Sequence, residues 1–263
     1  MVFLGFQRKL RRRVAVKILP KTAEISDDDG RMFHDEAIVV AGFSHPNIVP
    51  VFEMGETEDC FYQIMQIVNG SNLETVIENQ RKNPLPYKRS VPIRKSIALT
   101  LGVLDGLAYA HTREVVHLDM KPGNILIEEH SNRPLITDFG IAKTAQSKKT
   151  SRYIVGSPLY LAPERLNRQH VDCRADIYSV GLVLYELAAG TLPLATREAT
   201  EVLRRKVNDP SSLFCMPPAE ASPQIDTLLE RIILKAISAE PDLRYRDCRE
   251  FMHALKEYRR TLE

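Results

Sequence analysis

The 263-residue sequence contains no tryptophan and only four cysteines, Cys60, Cys173, Cys215 and Cys248. The cysteines lie far apart and form neither a C-x-x-C pair nor the spacing of a zinc site. A disulfide-stapled scaffold and a zinc module are therefore excluded. We interpret the four side chains as reduced thiols, which predicts a cytoplasmic protein.

A long hydrophobic run is also missing. The longest apolar stretch, residues 177–189, is interrupted by Ser179, Tyr185 and Glu186, and it is shorter than the roughly 20 residues that a membrane span needs. The opening Met-Val-Phe-Leu-Gly-Phe is too short for the apolar region of a signal peptide, and the arginines follow it. The sequence therefore predicts a buried core helix at 177–188, with no secretion and no membrane span.

The sequence has no large excess of charge. Its 36 Lys and Arg against 34 Asp and Glu give a formal net charge of +2, which argues against nucleic acid as the main partner. The composition predicts no particular oligomeric state. We interpret the one basic cluster as a solvated turn between two strands, in preference to a phosphate- or membrane-binding patch; it comprises Arg8, Lys9, Arg11, Arg12 and Arg13.

The pattern that is present divides the chain near residue 70. Alternating and β-branched residues predict strands at 14–18, 48–52 and 60–68, with one helix at about 30–42. Beyond residue 70 the periodicity predicts mainly helices, at 97–108, 177–188, 225–237 and 248–258. We therefore predict an α+β protein with a small β-rich lobe, residues 1–68, and a larger, mainly α-helical lobe, residues 69–263.

Residues 117–124, His-Leu-Asp-Met-Lys-Pro-Gly-Asn, form the first candidate site. A proline and a glycine favour a tight loop there, which would bring Asp119, Lys121 and Asn124 together. A carboxylate can accept a hydroxyl proton, an ammonium can face an anion, and an amide oxygen can hold a metal. A plain polar turn before a strand is the alternative interpretation.

A second candidate is Thr137-Asp138-Phe139-Gly140, where an aspartate leaves a strand and a glycine permits a sharp change of direction. The sequence Asp-Phe-Gly is by itself a common turn. Its position, one hairpin length after Asn124, brings a second oxygen ligand to the same edge. Two oxygen ligands together with phosphate oxygens are the usual environment of Mg²⁺.

Lys17 ends a predicted strand, and Glu36 lies in the middle of the predicted helix. Taken singly, each is most simply a solvated side chain. If the helix packs on the sheet, an inward-pointing Lys17 needs a carboxylate partner, because an unpaired buried ammonium is costly.

These motifs resemble, in order and spacing, the signature set of the eukaryotic-type protein kinase catalytic domain. The Asp-x-Lys-Pro-x-Asn loop, and Gly156-Ser157 ahead of the Ala-Pro-Glu motif, are similar to the serine/threonine branch. The resemblance covers essentially the whole chain, and its motifs are Val14-Ala15-Val16-Lys17, Glu36, His45-Pro46-Asn47, His117-Leu118-Asp119 with Asn124, Asp138-Phe139-Gly140, Ala162-Pro163-Glu164, Asp176 with Gly181, and Arg244.

The resemblance implies a two-lobed kinase fold that uses ATP and Mg²⁺ to phosphorylate protein substrates. By this resemblance Lys17 holds the α- and β-phosphates and is braced by Glu36. Asp119 would orient the substrate hydroxyl as a base, and Lys121 would neutralise the transferred phosphoryl group.

The same resemblance makes Asn124 and Asp138 the magnesium ligands. It also implies a set of residues around the adenine. One side chain lies at the back of the pocket, the backbone of a hinge segment pairs with the adenine, and three apolar side chains cover the ring. In that order these are Met65, the hinge residues Gln66, Ile67 and Val68, and the trio Val2, Ala15 and Leu126.

The sequence departs from the family at two places. Val2 aligns with the valine that follows the Gly-rich loop, so the three glycines would precede Met1, and we expect a late start of the chain instead of a kinase without this lid. Leu118 replaces an arginine that usually pairs with a phosphate on the activation segment. We therefore expect weak dependence on phosphorylation of the segment's candidate sites, Thr144, Ser147, Thr150 and Ser151.

The main prediction is an ATP- and Mg²⁺-dependent protein serine/threonine kinase. A pseudokinase that serves as a binding or scaffolding module is the alternative, favoured by the missing glycine loop. A small-molecule phosphotransferase shares the Asp-x4-Asn loop but is not expected to carry the Ala-Pro-Glu motif or Arg244.

Overall fold

The structure, a computed structural model, describes residues 1–21, 41–139, 158–166 and 171–262. The first part of the described chain forms a four-stranded antiparallel sheet in the order β1-β2-β4-β3. Its strands are β1 (Val2–Gln7), β2 (Arg12–Pro20), β3 (Val51–Glu56) and β4 (Cys60–Gln66).

Most predictions for this sheet are confirmed. The strand at 14–18 is the middle of β2, and the strand at 60–68 is β4, which ends at Gln66. Of the basic cluster, Arg8, Lys9 and Arg11 lie in the turn between β1 and β2, whereas the other two arginines begin β2. The bounds of the strand at 48–52 were wrong, because Ile48 makes only an isolated bridge to Ile136 and the ladder begins after Pro50. Proline has no N–H to donate, so a regular ladder cannot run through it. The predicted helix at 30–42 lies almost entirely outside the described residues.

A second, smaller antiparallel sheet in the order β5-β6-β7 follows the first. It consists of β5 (Gly70–Asn72), β6 (Ile125–Glu128) and β7 (Pro134–Ile136). A single 3-10 turn, Pro122–Asn124, leads into β6, and β7 ends two residues before Asp138. This sheet therefore carries both candidate motifs at neighbouring positions.

The rest of the described chain is mainly helical, and the four predicted helices are confirmed, with small changes of bounds. Residues 225–226 precede their helix because the Asp226 side chain caps it by accepting a hydrogen bond from the Leu229 N–H at 2.8 Å. The helices are α1 (Leu73–Arg81), α2 (Ile93–His111), α3 (Arg174–Ala189), α4 (Ala199–Asn208), α5 (Pro218–Ala221), α6 (Thr227–Ala236) and α7 (Cys248–Thr261).

Helix α3 forms the centre of the helical lobe, as the apolar run predicts. Every residue from 175 to 188 is buried, because other elements cover it on all sides. Gly181 permits the close approach of α6, since a Cβ there would lie 2.8 Å from the Ala236 Cβ. None of the helices in the described ranges is long and apolar enough to cross a membrane.

Candidate active site

The loop at 117–124 brings its three predicted polar side chains together. The Lys121 ammonium donates a hydrogen bond of 3.0 Å to Asp119 Oδ2. The Asn124 amide donates to the same oxygen at 3.0 Å and to the Asp119 backbone carbonyl at 2.7 Å. The 3-10 turn at Pro122–Asn124 makes this convergence possible, because it folds the chain back within three residues.

Asp176, in the first turn of α3, anchors the start of this loop. Its carboxylate accepts hydrogen bonds of 2.8 Å from the backbone N–H groups of His117 and Leu118, and a third from His111 Nε2. Burial alone would raise the pKa of Asp176, but hydrogen bonds and charges from the two histidines outweigh it and lower the pKa. The anchored backbone includes Leu118, which has a φ of 63°, a conformation that is costly for a leucine and needs such support.

His117 joins the loop to the second motif. Its Nε2 lies 3.0 Å from the Thr137 carbonyl, its Nδ1 accepts the Asp119 N–H at 3.2 Å, and its ring lies 4.7 Å from that of Phe139. Complete burial lowers the pKa of His117 despite the nearby carboxylates. A neutral ring with its proton on Nε2 satisfies both contacts.

The predicted phosphate-binding lysine reaches the second motif. Lys17 Nζ donates a hydrogen bond of 2.7 Å to Asp138 Oδ1, and the side chains are 26% and 35% exposed. Asp138 has a φ of 56°, which turns the chain sharply after β7. Glu36, the predicted partner of Lys17, lies outside the described residues.

The two motifs are joined through the backbone as well. The Thr137 N–H donates a 3.0 Å hydrogen bond to the Asn124 carbonyl, so Asn124 and Asp138 are near neighbours. A continuous chain of hydrogen bonds and covalent neighbours therefore runs between the lobes; in order it contains Lys17, Asp138, Thr137, Asn124, Asp119 and Lys121.

Four of the residues predicted around the adenine form one apolar cluster with Val49 and Leu135. Gln66 lies beside it and donates its backbone N–H to the Pro50 carbonyl at 2.9 Å. Val2 pairs with Lys17 in the sheet but is 60% exposed and does not belong to the cluster. The four predicted residues that the structure does bring together are Ala15, Met65, Val68 and Leu126.

The oxygen ligands fit a magnesium ion that phosphate groups help to hold. Both side-chain hydrogen bonds of Asn124 run from its Nδ2 to Asp119, and Oδ1 accepts none from the described residues. Within the described ranges no three His, Cys, Asp or Glu side chains are grouped as metal ligands. Hard oxygen ligands in so small a number are typical of Mg²⁺ completed by substrate phosphates.

Two further contacts were missed by the sequence analysis. The Arg165 guanidinium donates to the Leu118 carbonyl, next to Asp119, and the amino group of Lys206 is buried against the backbone at 159–161. Neither residue belongs to a signature motif, and no sequence signal points to its partner. By contrast, Glu164 and Arg244 both belong to the signature motifs, and they are joined by two parallel hydrogen bonds of 2.7 and 2.8 Å.

Comparison with known families agrees with this geometry. The family described as "Protein kinase domain" matches residues 1–259. The chain belongs to this family. The kinase domain is similar to the crystal structure of the Mycobacterium tuberculosis PknI kinase domain, with a TM-score of 0.75 and 27% identity over 97% of this chain and 90% of that one. The predicted two-lobed kinase fold is thereby confirmed.

Two curated relatives of this kinase domain come from bacteria. Serine/threonine-protein kinase Pkn1 of Myxococcus xanthus is 33% identical over 262 residues, covering 97% of this chain and 36% of that protein. Serine/threonine-protein kinase PrkC of Bacillus subtilis is 34% identical over 248 residues, covering 93% of this chain and 36% of that protein. The kinase domain therefore resembles the serine/threonine branch, as predicted, and spans little more than a third of these relatives' length.

Proposed function

We propose that this kinase domain transfers the γ-phosphoryl group of Mg²⁺-bound ATP to serine and threonine hydroxyls of proteins. The observation that carries the proposal is the continuous connection from Lys17 through Asp138 and Asn124 to Asp119. It joins a cation for phosphates, two oxygen ligands and a carboxylate base across one cleft, which is the set of groups that phosphoryl transfer requires.

We assign nucleotide binding to Lys17 and the apolar cluster. The side chain of Lys17 is 26% exposed and that of Lys121 is 29% exposed, so both are accessible to phosphate oxygens. Lys17 would hold the α- and β-phosphates, and the cluster around Ala15 and Met65 would cover the adenine. An apolar cluster next to a few polar groups is typical of a cofactor pocket.

Asp138 and Asn124 would hold the magnesium ion. Asp138 retains a second carboxylate oxygen beside the one that binds Lys17, and Asn124 retains its amide oxygen. When bound, Mg²⁺ neutralises the charge that develops on the phosphate oxygens.

Asp119 would orient the acceptor hydroxyl and receive its proton. Lys121 and Asn124 both donate to Oδ2, and Oδ1 accepts no hydrogen bond from the described residues. That oxygen can therefore accept a bond from the substrate, while Lys121 lies close enough to meet the incoming phosphoryl group.

The proposal is tested by incubating the purified chain with ATP, Mg²⁺ and a generic basic protein, and locating new phosphate by mass spectrometry. We expect phosphoserine or phosphothreonine from the wild type and a loss of about 10²- to 10⁴-fold in kcat for Asp119→Asn. Asp105→Asn is the matched control, because Asp105 is an exposed carboxylate on α2. Nucleotide binding by the wild type without transfer would establish the pseudokinase alternative instead.

We also propose a cytoplasmic location for the kinase domain. All four cysteines are free thiols, and Cys215 is exposed, which suits a reducing compartment. A membrane-impermeant maleimide should label Cys215 only after cells that express the protein are lysed. Labelling of intact cells would contradict this location.

A further inference from the structure

Lys206, on α4, carries a buried amino group in the helical lobe. The residue is only 1% exposed, although lysine is almost never fully buried unless it is paired. Its Nζ forms no salt bridge with a carboxylate of the described residues. Its partners are instead two backbone carbonyls, those of Leu159 and Leu161, each at 2.7 Å.

The surroundings of Lys206 hold the amino group in one position. Nζ lies 4.9 Å from the centre of the Tyr178 ring, within the range of a cation–π contact. Burial, together with the charge of Arg244, keeps the pKa of Lys206 well below its usual value despite the opposing charge of Glu164. An amine that has lost one proton still has two N–H donors, so both carbonyl contacts persist in either state.

In the segment that Lys206 contacts, residues 158–166, the backbone carbonyls at 159–161 accept their hydrogen bonds from side chains. Between the two carbonyls bound by Lys206, the Tyr160 carbonyl accepts a hydrogen bond of 2.8 Å from the Ser179 hydroxyl. Three successive carbonyls are thus held by side chains of α3 and α4, and no backbone N–H of the described residues donates to them. The Tyr160 hydroxyl also donates to the Glu186 carboxylate.

This segment adjoins the candidate catalytic loop. At its far end Arg165 donates to the Leu118 carbonyl, one residue before Asp119, and Glu164 is fixed by Arg244. The position of the backbone at 159–161 is therefore linked to the place where an acceptor hydroxyl meets Asp119. When a mutation displaces the groups that position the reacting atoms by the order of 1 Å, the rate of the reaction can fall about a hundredfold.

We propose that Lys206 is a positioning residue for protein-substrate recognition. It fixes the backbone of Leu159 and Leu161, and this backbone forms the surface on which the polypeptide next to the acceptor hydroxyl docks. The inference rests on the proposed kinase function. If Lys206 only stabilised the lobe, its substitution would change KM for ATP and KM for the protein substrate alike. Substitution of a positioning residue changes KM for the protein substrate alone.

The test compares Lys206→Met with wild type, using a generic basic protein as substrate. Methionine is also unbranched and fills the space, but it donates no hydrogen bond, so both carbonyls lose their donor. We expect KM for the protein substrate to rise at least about tenfold, with KM for ATP within about twofold of wild type. Lys206→Arg, which keeps the donors, should recover most of the loss. Lys256→Met is the control, because Lys256 is an exposed lysine on α7.

Hydrogen exchange provides a readout that does not depend on activity. In Lys206→Met, amides within 158–166 should exchange faster, while those of α3 and α6 keep the wild-type rate. If the wild type transfers no phosphoryl group, the proposed function fails, and this local exchange alone decides whether Lys206 holds the segment.

Three results would overturn the inference. The first is an unchanged KM for the protein substrate together with unchanged exchange in 158–166. The second is an equal change of both KM values. The third is unfolding of both Lys206→Met and Lys206→Gln, the second of which keeps an N–H₂ donor; that result would make the residue a determinant of global stability.

Discussion

Lys17 and Asp138 lie 121 residues apart in the chain, yet their side chains are joined by a hydrogen bond of 2.7 Å. Lys17 belongs to the four-stranded sheet, and Asp138 follows the last strand of the second sheet. The contact therefore closes the gap between the two lobes at the point where the phosphates of ATP are proposed to bind. It is the most direct structural support for the assignment of the cleft.

The first prediction concerns this lysine. Lys17→Met keeps an unbranched side chain but removes the amino group and its charge, so kcat/KM for ATP should fall by about 10²- to 10³-fold, as when one preorganised donor is lost. Steady-state kinetics at saturating protein substrate measure the change. Lys21→Met is the matched control, since Lys21 contacts Glu56 and the Thr57 carbonyl outside the cleft. Equal activities of the two variants would contradict the role of Lys17.

A second prediction follows from the contact between Arg165 and the Leu118 carbonyl. Arg165→Met removes the donor that supports the backbone before Asp119, and kcat should fall by about tenfold through misplacement of that carboxylate. The Kd for nucleotide should stay the same, because the apolar cluster proposed to cover the adenine is formed by other residues. Arg94→Met, on the exposed side of α2, is the control. A weakened nucleotide Kd with unchanged kcat would refute this explanation.

The third prediction is one of stability. Glu164 and Arg244 form a salt bridge whose side chains are 2% and 0% exposed. Arg244→Met leaves a buried carboxylate without its partner, and the free energy of unfolding should drop by about 3–5 kcal/mol. Urea titration measures the change. Asp242→Asn breaks the exposed pair with Arg174 and should cost less than about 1 kcal/mol; similar losses for both variants would count against the burial argument.

The fourth prediction is a pH dependence of stability. Burial holds the pKa of His117 below the value of about 6.5 that an unfolded histidine has. Between these two values the unfolded chain binds a proton that the native chain does not. The free energy of unfolding therefore falls as the pH drops below about 6.5, by at most about 1.4 kcal/mol per pH unit for this group.

The variant His117→Phe isolates this contribution. Its free energy of unfolding should fall less steeply than that of wild type between about pH 6.5 and 5. The pKa of His45 is also lowered by burial, and this histidine is present in both proteins, so the difference in slope belongs to His117. Identical slopes in urea titrations across this range would show that His117 does not titrate as described.

The fifth prediction concerns the activation segment. Leu118 carries no charge with which to bind a phosphate, so activity should depend little on phosphorylation there. A variant with alanine at all four candidate sites, which lie outside the described residues, should keep kcat within about threefold of wild type. The four sites are Thr144, Ser147, Thr150 and Ser151. Loss of activity to the level of Asp119→Asn would overturn the expectation.

Much of the site could be predicted because local sequence determines local conformation. Pro122 and Gly123 favour the tight turn that brings Asp119 and Asn124 together, and the structure contains that turn. The order of the motifs was enough to indicate the family, which the match over residues 1–259 confirms. The lobe boundary at residue 68 and the roles of the individual site residues stay predictions.

Other features depend on the tertiary structure. Val2 lies exposed on the edge strand β1, outside the apolar cluster, because edge position depends on which strands pair. Lys206 meets carbonyls 45 and 47 residues away. No local pattern indicates whether such a lysine faces water or a buried backbone, since packing between distant elements alone determines its surroundings.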